Sequence, residues 1–307
     1  MKNTDLSVCI KGLDFKNPIT VASGTFGTTS EYSEFVNYEK LGAIVTKTVT
    51  VRPRAGNPMP RIFETSSGML NAIGLQNKGI EDFVSHKIPY FSKVKTPLIA
   101  NIAGENEGDF SLLAKMLNKH RSVVKAIELN LSCPNVEKGG TTGMKKKSLI
   151  REAVRAARRE TQMPIFAKIS PELGNVLEIA EIVLEAGADG LSLINTLKGM
   201  AIDIEKKCSR LANITGGLSG PAIKPVALRY VYEVKKFFKV PVIAMGGIMN
   251  ACDALEFIIA GADMVAVGTA NFINPSATLE ILEGIKAYCA RHRIERIADL
   301  RGSFKQS

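Results

Sequence analysis

The sequence predicts an α/β fold, a (β/α)8 barrel with inserted loops or small strands over the C-terminal mouth, the whole of residues 1–307 forming one domain. Three observations predict it. Eight short apolar runs recur along the chain, most segments between them carry apolar residues three and four apart, and polar residues gather at the carboxyl ends of the runs. Runs that are nearly all apolar rather than alternating suggest parallel strands buried on both faces, and eight is the number that closes such a barrel. A doubly wound open sheet is the competing architecture. It would put a glycine fingerprint after its first strand, and no GxGxxG occurs there.

In chain order the predicted strands are ITVAS (19–23), AIVTK (43–47), LIANI (98–102), AIELNL (126–131), IFAKI (165–169), GLSLIN (190–195), VIAMGG (242–247) and MVAVG (264–268). NVLEIAEIVLEAGAD and ACDALEFIIAGAD follow the fifth and seventh runs with helical spacing. Each ends at a glycine suited to a left-handed cap. Two longer insertions interrupt the alternation, residues 48–97 and 196–224, and extra loops or small sheets over the barrel mouth are their natural home.

Composition excludes several classes. No run of eighteen apolar residues exists and MKNTDLSVCIKGLDFKN lacks the apolar centre of a signal peptide, so a cytoplasmic protein is expected. Five cysteines, at 9, 133, 208, 252 and 289, are far apart with no CxxC pair, which argues against a disulfide framework, a zinc site or an iron-sulfur cluster held by this chain alone. The net charge of +10 favours anionic ligands or an acidic surface. Lys145, Lys146, Lys147, Arg151, Arg155, Arg158 and Arg159 crowd one helix, read as a solvated face with nucleic-acid contact as the alternative. With 6% aromatic residues and no Trp, a stacking platform for single strands is poorly supplied.

Ser23, Lys47, Asn101, Asn130, Lys168 and Asn195 each stand at or next to the carboxyl end of a predicted strand, and the last two strands end in Gly246-Gly247 and Gly268-Thr269. In a barrel those ends converge on the mouth where active sites form. Glycine pairs after the seventh and eighth strands suit a phosphate held by backbone N–H groups, with a plain tight turn as the alternative for either pair alone. Lys47 and Lys168 lie in otherwise apolar strands, where an unpartnered lysine is rare. Either could serve Schiff-base chemistry, or both could stay charged, one facing a substrate carboxylate and the other a reduced flavin. In ELNLSCPN, Asn130 ends a strand with an amide able to read a heterocycle, and Cys133 follows three residues later on the loop. A free Cys is commonly a small buried hydrophobe. Its loop position and reference pKa of about 8.5 suit it better to exchanging a proton with a carbon acid than to binding metal unaided.

These motifs together carry a resemblance. ASGTFG (22–27), NAIGLQN (71–77), ELNLSCPN (128–135), INT (194–196), ITGGLSGPAIKP (214–225), MGGI (245–248) and VGTANF (267–272) make the chain resemble, over nearly its whole length, the class 1 dihydroorotate dehydrogenases. NAIGLQN and GGLSGPAIKP look like the catalytic subunit of class 1B. The resemblance implies an FMN-binding TIM barrel that oxidises (S)-dihydroorotate to orotate in pyrimidine biosynthesis. Cys133 would take the C5 proton while C6 delivers hydride to N5 of FMN, and Lys168 would stabilise the anionic reduced flavin. It assigns flavin contacts to Ser23, Lys47, Thr48, Asn101, Asn130, Lys168, Ile194, Gly220, Gly246, Gly247, Gly268 and Thr269. Substrate contacts fall on Lys47, Asn71, Ala72, Ile73, Gly74, Leu75, Asn130, Asn195 and Thr196.

The resemblance further implies a homodimer within a heterotetramer, whose partner subunit carries FAD and a 2Fe-2S cluster and passes electrons to NAD. No metal, membrane or nucleic acid is implied for this chain. Three stretches depart from the family pattern: MKKKSLIRE after GGTTG, Glu172 in SPELGN, and KKCSR at 206–210. Two rivals remain. A tRNA-dihydrouridine synthase is another FMN barrel with an Asn-then-Cys-Pro segment, but it carries a further helical domain, and only about forty residues follow Gly268. A basic RNA-binding scaffold would use the 145–159 helix and would be colourless.

Overall fold

The structure, a computed structural model, describes residues 4–28, 30–131 and 147–306. Eight parallel strands form one sheet: β1 (Ile19–Val21), β2 (Ile44–Val45), β3 (Leu98–Ile102), β4 (Val124–Asn130), β5 (Ile165–Ile169), β6 (Gly190–Leu193), β7 (Val242–Met245) and β8 (Met264–Val267). Their spatial order is β1-β8-β7-β6-β5-β4-β3-β2. The two end strands meet where Gly42 N–H donates to Ile19 O at 2.8 Å and Thr20 Oγ1 donates to Ala43 O at 2.9 Å, closing the cylinder. This is the expected (β/α)8, or TIM, barrel. Every residue of β3, β5, β6, β7 and β8 is buried, as strands covered on both faces require.

Six longer helices surround the sheet: α1 (Glu107–Asn118), α2 (Lys147–Glu160), α3 (Val176–Glu185), α4 (Lys224–Phe237), α5 (Ala251–Ala260) and α6 (Ala277–Arg291). Their starts follow from side-chain oxygens that satisfy the first orphan N–H groups. Asn106, Asn175 and Asn250 cap α1, α3 and α5, the last in a capping box with Asp253. After α5 the chain turns at Gly261, φ +119°, and after α3 at Gly187, φ +108°, the left-handed geometry read from IAGAD and EAGAD.

The two insertions join. Ile62–Thr65 and Gly68–Asn71 from the first, and Leu197–Gly199 and Gly216–Ser219 from the second, pair as one antiparallel four-stranded sheet, with Asn71 opposite Gly217. Thr269 Oγ1, just beyond β8, donates to Ser219 Oγ at 2.8 Å, and Ser170 Oγ, just beyond β5, donates to Thr196 O at 3.3 Å. Both bonds fasten this small sheet to the carboxyl rim. The first insertion also holds helical turns, Gly79–Asp82, Phe83–Lys87 and Ile88–Phe91, where loops or small strands were expected. Ile80, Phe83, Ile88 and Phe91 are buried there, so burial of an apolar face outweighs the Pro-, Arg- and Gly-rich composition around it.

The basic helix α2 is a packed and ion-paired element. Ala153, Val154, Ala156 and Ala157 are buried, as expected. Lys147 pairs with Glu178, and Arg151 with Glu185 at 3.2 Å, both acids on α3. Arg158 donates to the carbonyls of Gly187, Thr161 and Met163 and pairs with Asp189. Lys145 and Lys146 lie outside the described residues. Among the described residues no helix is long and apolar enough to cross a membrane.

A Cβ added at Gly42 would stand 2.0 Å from the backbone oxygen of Asn17, and one at Gly68 would stand 2.0 Å from Ser219 O. Gly42→Ala should therefore open the barrel seam and cost at least ~2 kcal/mol, read as a lowered Tm. Gly68→Ala should leave the barrel's thermal transition in place while loosening the small sheet, read as faster amide exchange at Leu70 and Leu218. A native Tm for the first variant would show that the seam tolerates the added carbon.

Candidate active site at the carboxyl rim

The predicted residues gather into connected groups. Along one arc Ser23 Oγ lies 3.3 Å from Thr48 Oγ1, Asn130 Nδ2 donates to Thr48 Oγ1 at 3.5 Å, and Asn195 Nδ2 donates to Asn130 Oδ1 at 3.4 Å. The Asn195 Oδ1 then accepts from Thr196 N at 2.9 Å. This arc links the ends of β1, β2, β4 and β6, so four separate strands present one row of hydroxyls and amides.

A second group reaches a layer deeper, to Asn101 and Glu128, and includes Lys168 at the level of Asn130. Asn101 on β3 is level with Glu128 on β4, and Asn130 is level with Lys168 on β5. Because strand side chains alternate, Glu128 and Asn130 share a face. Asn101 Nδ2 donates to Glu128 Oε1 at 2.5 Å, and Lys168 Nζ stands 4.0 Å from the same oxygen. Glu128 and Asn101 are fully buried and Lys168 is 5% exposed. Sequence reasoning singled out Asn101 and Lys168 and missed Glu128, although a carboxylate inside an apolar strand is itself a signal, since such a group is buried only with a partner. Thr46 was missed too. Its Oγ1 accepts from Asn101 N at 3.1 Å.

The glycines form a tight cradle. A Cβ at Gly246 would lie 2.8 Å from Ala227 Cβ, one at Gly247 2.7 Å from Lys224 Cβ, and one at Gly220 2.7 Å from Gly68 Cα. Gly246 and Gly247 also have φ of +128° and +73°, open to glycine at little cost. Gly268 has more room, its nearest would-be contact being Ala22 Cβ at 3.4 Å. Lys224, at the start of α4, has its ammonium engaged by Asp253 at 2.7 Å and Glu256 at 2.8 Å. What the cradle can offer an anion is therefore its backbone N–H groups. Ile194 is buried, and its N–H donates to Met245 O at 3.0 Å, tying the end of β6 to that of β7.

On the small sheet, Asn71 Nδ2 donates to Gly217 O at 3.2 Å, and Gly217 is packed so closely on Thr196 that a Cβ would meet Thr196 Oγ1 at 2.2 Å. The Ala72–Leu75 stretch is held from outside the rim. Ala72 N–H donates to Arg61 O, Asn57 Nδ2 donates to Ala72 O, and Asn57 N–H donates to Ile73 O. Gly74 and Leu75 take φ of +75° and +54°, and Asn77 Nδ2 donates to Leu75 O at 2.8 Å. The stretch reaches the rim through Asn71. Arg61, Asn57 and Asn77, none of them a candidate from sequence, are what fix its shape. Cys133 lies outside the described residues.

Lys47 is half-buried, and burial holds its ammonium below the usual lysine range. The Arg61 guanidinium adds to the fall, and Glu31 opposes it. With Lys168 and Arg61, it gives the rim a cationic character suited to a carboxylate. Among the described residues no group of three or more His, Cys, Asp or Glu could hold a metal ion.

A barrel whose carboxyl rim carries amides, paired cations and a glycine cradle defines a ligand-binding barrel of the enzyme type. A family model described as Dihydroorotate dehydrogenase matches residues 5–288, and the chain belongs to that family. It is 50% identical over 305 residues to a protein of Geotalea daltonii (strain DSM 22248 / JCM 15807 / FRC-32), covering 99% of this chain and 100% of the relative. It is 51% identical over 300 residues to one of Trichlorobacter lovleyi (strain ATCC BAA-1151 / DSM 17278 / SZ), with 98% of each chain covered. A third, of Alkaliphilus metalliredigens (strain QYMF), is 48% identical over 303 residues, 99% of this chain and 100% of the relative. All three are named Dihydroorotate dehydrogenase B (NAD(+)), catalytic subunit.

Competitive acylation of Lys47 followed across pH should show its amine reacting at lower pH than an ordinary lysine, whose midpoint is about 10.4. A lowered pKa means more neutral amine at any given pH. Arg61→Gln removes a neighbouring like charge and should move the profile upward. A profile that Arg61→Gln leaves in place would remove the guanidinium as a cause.

Proposed function

We propose that this chain is the FMN-bearing catalytic subunit that oxidises (S)-dihydroorotate to orotate in pyrimidine biosynthesis, in the cytoplasm, with residues 1–307 as one barrel domain. The observation that carries the reading is the row of Thr48, Asn130 and Asn195 above the paired Glu128 and Lys168, in a chain of the dihydroorotate dehydrogenase family.

The residues present fit FMN on two counts. Asn101 Oδ1 is buried with no hydrogen-bond partner among the described residues, an acceptor awaiting a donor such as a ring N–H. The Gly220, Gly246 and Gly247 backbones occupy positions where side chains cannot stand, leaving their peptide groups for a phosphate. Ser23, Lys47, Thr48, Asn101, Asn130, Lys168, Ile194, Gly220, Gly246, Gly247, Gly268 and Thr269 would hold the cofactor. When bound, FMN supplies the acceptor for the hydride leaving C6 of the substrate.

The chain's own residues do the rest. Asn71, Asn130, Asn195 and Thr196 offer donors and acceptors to the pyrimidine edge, and Lys47 faces the carboxylate, with the Ala72–Leu75 stretch covering the ring. Cys133 takes the C5 proton, an assignment that rests on its place in ELNLSCPN and on family membership. Electrons leave through a partner subunit with FAD and a 2Fe-2S cluster, in a heterotetramer built on a homodimer of this chain. Support for a partner comes from the relatives' names, which specify a catalytic subunit and NAD(+). The engagement of Lys147, Arg151 and Arg158 in intramolecular pairs withdraws the support that the basic helix lent to a nucleic-acid reading.

Purified protein should be yellow, and anaerobic addition of dihydroorotate should bleach it. Cys133→Ala should keep FMN and slow bleaching by roughly 10²–10⁴-fold at neutral pH, and Cys133→Ser should recover only as pH rises, because a hydroxyl gives up its proton less readily. The chain alone should reduce artificial acceptors but not NAD. A colourless protein, or bleaching untouched by Cys133→Ala, would sink the cofactor or the base respectively.

A further inference from the structure

Glu128 is not among the residues assigned above to hold flavin or substrate, yet it is the most deeply buried charged side chain among the described residues. Its Oε1 accepts from Asn101 Nδ2 at 2.5 Å and stands 4.0 Å from Lys168 Nζ. Its Oε2 has no hydrogen-bond partner among the described residues. Glu128 lies one layer beneath Asn130 on the same strand face, between two residues assigned to the flavin. An ionised carboxylate only accepts hydrogen bonds, so it dictates that the Asn101 NH₂ turns toward it and the amide oxygen turns away. That oxygen is the buried atom left without a partner.

We propose that Glu128 is a positioning residue of the flavin site: it orients the Asn101 amide so that its oxygen meets the ring, holds the Lys168 ammonium at the rim, and through its charge sets the reduction potential of bound FMN. The proposal rests on the flavin reading. Its electrostatic sense is fixed by charge. A negative group beside Lys168 cancels part of the positive field that would favour a reduced, anionic ring, and in a dry interior that cancellation is weakly screened. A carboxylate serving only as structural glue would lower stability when removed, but would not move the potential in a chosen direction.

The test is the midpoint potential of the FMN-loaded protein, with Tm and FMN content measured alongside. Glu128→Gln keeps the shape and removes the charge. It should favour reduction at least tenfold, a rise of about 30 mV for a two-electron couple. Glu128→Asp keeps the charge but draws it back from Asn101, so the equilibrium should stay within threefold of wild type while FMN binds at least threefold more weakly. A yellow Glu128→Gln protein whose potential is unchanged or lowered overturns the role of Glu128 and leaves the flavin reading standing. Should the Gln variant take up no FMN, the Asp variant decides: wild-type FMN affinity, or a tenfold shifted equilibrium, overturns the proposal. A wild-type protein that takes up no FMN at all overturns the flavin reading, and the proposal with it.

Discussion

The pairing of Glu128 with Lys168 and Asn101 is the interaction on which the rim depends. A closed parallel barrel has no solvent inside to receive a charge, and an isolated buried carboxylate or ammonium is costly enough that neither persists alone. The two charges and the amide therefore come as a set drawn from three adjacent strands. Beneath them the interior is apolar. Phe166 is fully buried, and a Cβ at Gly190 would stand 2.9 Å from its ring, so β6 begins with the one residue that leaves that ring its space. The polar layer thus starts abruptly, and Asn130, two residues beyond Glu128, is raised to the level where a ligand can meet it.

This layering explains what could be read from sequence. Strands buried on both faces are continuous apolar runs, and all eight were legible within a few residues because the pattern is local. The departures have local causes. AIVTK shortens to Ile44–Val45 because Thr46 turns its hydroxyl to Asn101 N, which interrupts the ladder until pairing with β3 resumes at Val49, whose N–H donates to Asn101 O. AIELNL lengthens backward to Val124, where an irregularity in register lets it lie against Leu98. Pairing between distant segments was not legible. Gly68–Asn71 and Gly216–Ser219 are short, glycine-rich and only partly buried, so nothing in either names the other as its partner. Glu128 escaped for a different reason: one charged residue in a strand says that a partner exists, and only the register says which.

The net charge is distributed by the fold in a way that a count does not show. Of the basic residues of α2, Lys147 and Arg151 engage carboxylates of α3, and Arg158 donates to carbonyls of the turns leading into β5 and β6. The positive charge that bears on chemistry is smaller and better placed. Lys47, Arg61 and Lys168 come from the segment just beyond β2, the first insertion and β5, and no one of them belongs to a basic cluster in the sequence.

In the proposed function the glycine cradle is the element that would couple cofactor to substrate. Gly246 is pressed against Ala227, Gly247 against Lys224 and the Gly220 carbonyl, and Gly220 against Gly68, so the end of β7, the start of α4 and the small sheet meet closely. A phosphate held by these backbones touches three elements at once, and one of them carries Asn71, whose amide reaches Gly217 beside Thr196. On the proposed reading, anchoring the phosphate would restrain the small sheet, and part of the ordering needed for catalysis would be complete before the substrate arrives. The rim's strand ends cannot do this, because the barrel fixes them whether or not a ligand is bound. Two insertions that form one sheet can, since Gly68 meets Ser219 and Gly220 of the other insertion, and Gly220 O lies against Gly247 at the end of β7.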